Sequence, residues 1–144
     1  MSITEIAEVL GGRKTFRHTV KTADDLATSI RAGLPATTIT VLADRLTLHK
    51  TDVAKRLGIP QRTLTRRLSQ DSRLTVDESD RAARMARIIA LATDILDTQE
   101  KASSWLRTPN RALGGKSPID EIGTDPGYRA VEEVLYAIAY GMYS

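Results

Sequence analysis

The segment that decides the fold runs from Lys50 to Ser69 and reads KTDVAKRLGIPQRTLTRRLS. A helix-turn-helix needs a small residue in its first helix, at the point where the second helix crosses it. Four positions later it needs a turn residue that can adopt a positive φ angle. Ala54 and Gly58 meet these two requirements at the required spacing. The segment therefore predicts a helix-turn-helix.

The apolar residues that follow the turn agree with this prediction. Ile59 is placed to plug the turn, and Pro60 can start the second helix because the first N–H groups of a helix have no intrahelical partner. Leu64 and Leu68, four residues apart, point back to the core from one face of that helix. The second helix is therefore expected to be amphipathic.

The opposite face of the second helix carries polar and basic side chains. Such groups can reach base edges and phosphates in the major groove of DNA. The predicted DNA-binding residues are Gln61, Arg62, Thr65, Arg66 and Ser69. Weaker candidates for phosphate contacts are Lys50, Lys55, Arg56 and Arg67, because each would add a salt-sensitive term that does not depend on base sequence.

Charge is distributed unevenly along the 144 residues. Residues 1–70 carry 12 Lys and Arg against 6 Asp and Glu, whereas residues 71–144 carry 9 against 12. The basic first part suits a polyanionic partner. The second part is less informative, because several of its carboxylates are placed to cap helices.

Composition excludes several classes of protein. The chain has no cysteine, which rules out disulfides, a Cys nucleophile and zinc or iron–sulfur sites built on thiolates. We found no apolar run long enough for a membrane span and no signal peptide, so a cytoplasmic protein without membrane contact is expected. At 15.8 kDa the chain has no room for a separate large catalytic domain.

Helices are predicted on both sides of the helix-turn-helix. Thr22 is a plausible N-cap of a helix that ends at Gly33, and a second helix covers about 36–45. Thr75 and Glu78 form a capping box that opens a long, mostly apolar helix ending near Gln99. Its residues Arg81, Arg84 and Arg87 are expected to be solvated or paired within the molecule. Residues 1–20 are interpreted as a mobile arm or a packing appendage.

The C-terminal part contains short helices and most of the aromatic residues. Ser117 with Pro118 begins one helix, and Thr124 caps the last one. Trp105 is interpreted as a core anchor, and Tyr128 also lies in this part of the chain. The last helix places Tyr136, Tyr140 and Tyr143 on a face different from its core stripe. Tyrosine is common in protein interfaces, so a partner-facing role is expected for Tyr140 and Tyr143.

Catalysis finds little support. His18 and His49 have no companion acid or nucleophile pattern, and Ser103-Ser104 lacks the context of a nucleophile elbow. The carboxylates after Thr75 are better explained by helix capping than by metal binding. Gly114-Gly115 lacks the strand and the Lys-Ser/Thr that a phosphate-binding loop requires. No enzyme, cofactor or metal is therefore expected.

A second set of motifs lies in the C-terminal part: Trp105-Leu106, Pro109-Asn110, Leu113-Gly114-Gly115 followed by Pro118, and a late glycine in Tyr140-Gly141-Met142-Tyr143. In this order and spacing they resemble the C-terminal domain of the Xre/MbcA/ParS antitoxins, the antitoxins of RES-Xre toxin–antitoxin systems. The upstream segments 32–35, 62–68 and 74–81 resemble the same family. The resemblance covers about residues 21–144.

The resemblance implies an all-α, usually dimeric antitoxin that binds its own operator DNA and neutralises a RES-domain toxin acting on NAD. It implies a DNA-binding and dimerisation region at 21–98 and a toxin-binding domain at 99–144, after the N-terminal arm at 1–20. The expected fold is thus a helix-turn-helix region packed on a small helical toxin-binding domain. The candidate toxin-binding residues are Asn110, Lys116, Tyr140, Tyr143 and Ser144.

Two alternatives to this interpretation stay open. The chain could be a free-standing helix-turn-helix transcription regulator whose C-terminal part binds a ligand or dimerises. It could also be a scaffold protein whose basic face is incidental. The helices between Thr22 and Leu46 are the candidate dimer interface.

Overall fold

The computed structural model describes residues 1–141, and this part of the chain folds into ten α-helices and one 3-10 turn without a β-strand. The predicted all-α fold is confirmed. The helices are α1 (Ile3–Val9), α2 (Arg13–Phe16), α3 (Ala23–Ala32), α4 (Thr38–Leu46), α5 (Lys50–Arg56), α6 (Gln61–Ser69), α7 (Val76–Leu96), α8 (Gln99–Arg107), α9 (Pro118–Glu121) and α10 (Asp125–Ala139), and the 3-10 turn spans Arg111–Leu113.

Helix α7 is the central element, and α1, α3, α4, α8 and α10 all pack against it. Its alanines and branched residues make this possible, because they leave it apolar on most of its circumference, and Ala82, Ile88 and Ala92 are fully buried. The buried residues form one continuous core that runs from Ile6 in α1 to Leu135 in α10. The helix-turn-helix and the C-terminal helices therefore share one hydrophobic core.

Local sequence signals set the helix boundaries. Thr22 and Asp25 form a capping box at the start of α3, and the Thr75–Glu78 box predicted from the sequence opens α7. Helix α7 ends at Leu96, a little before the predicted Gln99, because Asp97 adopts a positive φ of 83° that ends the helix. The Thr124 hydroxyl caps α10 as predicted, accepting a hydrogen bond from the Gly127 N–H.

Residues 1–20 are a packed part of the fold. Leu10 is fully buried, and Ile6, Phe16 and Val20 also enter the core. Helix α1 lies against α7, and the Arg45 guanidinium in α4 donates to the Glu8 carbonyl at 3.0 Å. These contacts place the N-terminal segment against α4 and α7, so the structure shows the packing appendage and not the mobile arm.

Candidate nucleic-acid and protein interfaces

The predicted helix-turn-helix is present as α5, a tight turn and α6. Gly58 forms the turn with a φ of 78°, a backbone conformation that residues other than glycine rarely adopt. Ala54 is fully buried and Ile59 nearly so, and the Ile59 N–H donates to the Ala54 carbonyl at 2.8 Å. His49 is an unusual N-cap for α5, but its Nδ1 accepts a hydrogen bond from the Thr51 N–H at 3.2 Å. The motif is thus complete from cap to recognition helix.

The outer face of α6 holds all five predicted DNA-binding side chains. Leu64, on the inner face, is only 1% exposed and holds the helix to the core, whereas Leu68 is partly buried. The exposed residues are Gln61, Arg62, Thr65, Arg66 and Ser69. A buried inner face and a polar outer face are what a helix needs to enter a DNA groove.

The charges on this face are available for a partner. Within residues 1–141, Arg62 and Arg66 form no ion pair. The Thr65 hydroxyl donates to the Gln61 carbonyl, and the Ser69 hydroxyl donates to the Arg66 carbonyl. These hydroxyl oxygens can still accept hydrogen bonds, while both guanidinium groups can donate.

Two of the weaker phosphate candidates are engaged within the molecule. Arg67 pairs with Glu78 of the α7 capping box, and the Arg56 Nε lies 2.9 Å from the Asp120 Oδ1 in α9. Lys50 and Lys55 are exposed and have no ion pair in the described part of the chain. The phosphate-contact prediction is therefore weakened for Arg67 and Arg56.

The Arg67–Glu78 pair is largely buried, with the two side chains 15% and 13% exposed. Partial burial raises the pKa of Glu78, but hydrogen bonds from the Thr75 N–H and the Arg67 guanidinium outweigh it and hold the pKa below its ordinary value. Glu78 thus stays ionised and links α6 to the start of α7.

The three arginines on the exposed side of α7 are paired intramolecularly, as predicted. Arg81 donates to the Leu57 carbonyl at 2.9 Å, which secures the end of α5. Arg84 pairs with Asp80, and Arg87 pairs with Glu132 in α10. Arg81 and Arg87 thus connect α7 to the end of α5 and to α10, whereas the Arg84–Asp80 pair lies within α7.

The loop before α9 contains two of the predicted toxin-binding residues. Asn110 is partly buried and builds the loop: its Oδ1 accepts from the Ala112 N–H at 2.9 Å, and its own N–H donates to the Lys116 carbonyl at 3.0 Å. Lys116 is more accessible, with its side chain 67% exposed and its Nζ 3.8 Å from the Glu121 carboxylate. Of the two, Lys116 is better placed to meet a partner.

Helix α10 presents aromatic side chains to the outside. Tyr136 is 41% exposed, and Tyr140, which follows the last residue of α10, is 78% exposed. Tyr128 belongs to the core instead. Its burial raises the pKa of its hydroxyl to about 12, and that hydroxyl has no hydrogen-bond partner within residues 1–141. The predicted residues Tyr143 and Ser144 lie outside the described residues.

The interpretation of Trp105 as a core anchor is wrong. It is only partly buried and packs against the edge of the core, whereas its neighbour Leu106 is fully buried. One side of the ring borders a shallow surface hollow next to Leu96. The core position in this motif is therefore held by Leu106.

The described part of the chain was searched for metal-binding clusters and for membrane-spanning helices. Within 1–141 no group of three or more His, Asp or Glu side chains is arranged to hold a metal ion. None of the helices in this range is both long and apolar enough to cross a membrane.

The structure defines a helix-turn-helix protein with a helical C-terminal part that shares its core. Residues 25–87 match the model of the antitoxin Xre-like helix-turn-helix domain, and residues 91–141 match the antitoxin Xre/MbcA/ParS C-terminal toxin-binding domain. The chain belongs to this family of antitoxins, the neutralising partners in toxin–antitoxin systems. The two matched regions meet inside α7.

Known relatives agree with this assignment. The chain is 39% identical to antitoxin Xre of Pseudomonas putida, over 81% of this chain and 72% of the relative, and 33% identical to antitoxin Xre of Yersinia enterocolitica, over 78% and 87%. It is 26% identical to the Prs ADP-ribosylating antitoxin of Sphingobium sp., over 80% and 78%. The fold is also similar to a chain in the crystal structure of the M. tuberculosis MbcT–MbcA toxin–antitoxin complex, with a TM-score of 0.55, 24% identity, and 76% of this chain and 96% of that chain covered.

Proposed function

We propose that this antitoxin binds and neutralises a RES-domain toxin that acts on NAD, and represses its own operon by inserting α6 into the major groove of operator DNA. The observation that carries the proposal is the exposed polar face of α6, whose arginines form no ion pair within residues 1–141, in a chain whose C-terminal part matches a toxin-binding domain. Neutralisation is stoichiometric and needs no catalysis by this chain.

The DNA-binding half of the proposal rests on the geometry of α6. Arg62 and Arg66 are one helical turn apart, so their guanidinium groups can reach neighbouring base pairs in one groove. Gln61 lies at the N-terminal end of α6, the end that contacts base edges in helix-turn-helix proteins. Thr65 and Ser69 extend the same face toward the backbone phosphates.

A binding series with operator DNA tests this half. We expect Arg62→Ala and Arg66→Ala each to weaken operator binding by about 1–3 kcal/mol if these residues read bases. Arg129→Ala, which removes the same charge from an exposed position on α10, is the matched control and should leave affinity nearly unchanged. Equal affinities of all three variants, or an affinity insensitive to salt, would exclude groove docking by α6.

The toxin-binding half rests on the aromatic surface of α10. Tyr136 in α10 and Tyr140, the residue that caps its C-terminus, are exposed rings four positions apart, and Lys116 offers an exposed side chain for a polar contact. Tyr143 and Ser144 extend the proposed contact beyond Tyr140. The relative in the M. tuberculosis complex is solved together with a toxin, which supports a protein partner for this half.

Co-expression with the toxin tests this half. Tyr140→Ala removes an exposed ring without disturbing the core, so the protein should fold normally but bind the toxin about 30-fold more weakly if Tyr140 is an interface hot spot. Tyr140→Phe, which keeps the ring, should retain most of the affinity. If Tyr140→Ala protects cells from the toxin as well as the wild type does, Tyr140 is not part of the interface. If the wild-type chain does not neutralise the toxin, the proposed class of toxin is wrong.

We further propose that the chain acts in the cytoplasm as a homodimer and, with toxin, as a hetero-oligomer. Dimerisation would use the region 21–98, chiefly α3 and α4, while 99–144 meets the toxin. A two-fold symmetric protein would bind two operator half-sites spaced by a multiple of the DNA helical repeat. Sedimentation equilibrium of the free chain tests this point, and a monomer at micromolar concentration would contradict it.

A further inference from the structure

A cavity of about 540 Å³ lies where the N-terminal segment, the end of α3 and the loop after α6 meet. Basic side chains line it beside polar and apolar ones. The side chains that matter here are Lys14, Arg17, His18, Ser29, Asp71 and Arg73. The N-terminal segment contributes half of these residues and lies outside the two regions that match the family models. The remaining lining residues, from Thr28 to Arg73, belong to the matched helix-turn-helix region, so the cavity lies between that region and the N-terminal segment.

The positive charge in this cavity is not neutralised within the described residues. Lys14, Arg17 and Arg73 form no ion pair there, and the sole carboxylate in the lining is Asp71. Arg56 and Arg67, by contrast, each have a carboxylate partner, whereas Arg62 and Arg66 on α6 resemble the cavity cations in having none within residues 1–141. Unpaired cations in a concave surface create a local positive potential that attracts anions.

The cations are held on ordered backbone. Arg17 occupies the left-handed region with a φ of 59°, and its N–H donates to the Arg13 carbonyl at 3.0 Å. Buried Thr15 secures the same short helix by donating to the Leu10 carbonyl at 2.6 Å. The Arg73 guanidinium donates to the Gly33 carbonyl at 2.7 Å, which fixes its position across the cavity. This bond preorganises the Arg73 side chain, which lowers the entropy cost of binding.

We propose that this cavity binds a phosphate group. Several cations around one hollow match an oxyanion with more than one negative charge, whereas a single carboxylate would be satisfied by one arginine fork. Hydroxyl groups of Thr28, Ser29 and Thr37 also line the cavity and can bind phosphate oxygens. The volume lies within the range of small-ligand sites.

The phosphate could come from two sources. Asp71 and Arg73 lie two and four positions after Ser69, the last residue of α6, so a duplex bound along α6 could place a backbone phosphate in the cavity. A free phosphorylated molecule, such as a nucleotide, could fill it instead. The second source does not depend on the DNA-binding function proposed above.

Binding measurements with inorganic pyrophosphate, with ATP and with a short DNA duplex distinguish the sources. The test variant is Lys14→Gln/Arg17→Asn, in which asparagine tolerates the left-handed backbone at position 17. The matched control is Arg13→Gln/Lys21→Gln, which removes the same charge from exposed neighbours outside the cavity. Asp71→Asn, also at a positive φ, removes the opposing carboxylate and should strengthen phosphate binding.

If the cavity binds phosphate, the test variant binds pyrophosphate or ATP at least about tenfold more weakly than the control does, and Asp71→Asn binds more tightly. If the phosphate belongs to DNA, the test variant also shows a shallower slope of the logarithm of the DNA-binding constant against the logarithm of salt concentration. The slope falls by about 0.9 for each phosphate that the variant no longer neutralises. An unchanged salt dependence with weakened ATP binding assigns the site to a free ligand. If the test variant and the control match for all three probes, the proposal is wrong, whether or not α6 binds its operator.

Discussion

Helices α6 and α10 both turn one face to the core and one face outward, but their outer faces differ in chemistry. The outer face of α6 is basic and hydroxylic, while α10 exposes the rings of Tyr136 and Tyr140. A charged face attracts a polyanion over a range of distances, whereas exposed rings contribute binding free energy only when a close-fitting surface buries them. This difference in chemistry supports the proposal that the two helices meet partners of different kinds.

The two helices also differ in how they are held. Helix α6 is short and depends on Leu64 and on the Arg67–Glu78 pair, whereas α10 is longer and buries Val131, Val134 and Leu135. Yet both join the single core around α7. The comparison raises the question of whether the two surfaces belong to one cooperative unit, and the following substitutions address it.

The largest effect is expected for Leu64→Ala. This side chain is 1% exposed, and its truncation leaves a cavity that costs about 2–5 kcal/mol in the free energy of unfolding. Trp105, the sole tryptophan of the chain, reports on the C-terminal part. Because the core is continuous, tryptophan fluorescence and far-UV circular dichroism should shift to the same lower midpoint. A fluorescence midpoint that stays at the wild-type value would show that the two parts unfold separately.

An intermediate effect is expected for Glu78→Gln, compared with Asp125→Asn on α10. Glutamine at position 78 can still cap the Thr75 N–H, so the substitution removes mainly the charge that meets Arg67. We expect a loss of about 1–2 kcal/mol, because the lost hydrogen bond is charge-assisted and largely buried. The Asp125–Arg129 pair is exposed, so Asp125→Asn should cost less than Glu78→Gln, and its remaining cost should come mainly from the lost charge in the first turn of α10.

The pH dependence gives the same comparison a second readout. The folded protein lowers the pKa of Glu78 below its ordinary value of 4.5, so its contribution is complete above that pH and is lost as the pH falls through the lowered pKa. The stability gap between the wild type and Glu78→Gln should therefore be constant near neutral pH and shrink in acid. A gap that persists unchanged under acidic conditions would mean that the charge of Glu78 is not its cause.

The fold was largely predictable from local sequence signals, whereas the links between the parts were not. Gly58 and the Thr75–Glu78 box act within a few residues, so their spacing alone identifies the turn and the helix start. The Arg56–Asp120 pair joins residues 64 positions apart, and no local pattern indicates it. The packing of residues 1–20 was equally hidden, because a short amphipathic stretch does not show what it will cover.

The same distinction explains the candidate sites. The α6 face follows from helical periodicity, since each side chain opposite Leu64 and Leu68 must point outward. Asn110 has the polarity of an exposed loop residue, but its side chain is needed to close the loop on itself. A polar residue in a tight loop often bonds to nearby backbone. Exposure in such loops cannot be inferred from polarity alone.

The smallest effect on stability is expected for Asp120→Asn, which breaks the pair that joins α5 to α9. Its partner Arg56 is 28% exposed and Asp120 is 51% exposed, so the loss should be about 0.2–1 kcal/mol. The matched control is Glu121→Gln, which removes the same charge from the same short helix but faces Lys116. Both variants should unfold close to the wild-type midpoint in thermal denaturation.

The two variants should nevertheless differ in DNA binding. Without Asp120, Arg56 keeps its bond to the Asp52 carbonyl but has no carboxylate to neutralise it, so it is free to meet a phosphate. One additional neutralised phosphate would make the slope of the logarithm of the DNA-binding constant against the logarithm of salt concentration steeper by about 0.9. Glu121→Gln should not show this change. If the Asp120→Asn and Glu121→Gln slopes coincide, Arg56 does not face the DNA, and the pair then serves only to hold the C-terminal helices to the helix-turn-helix.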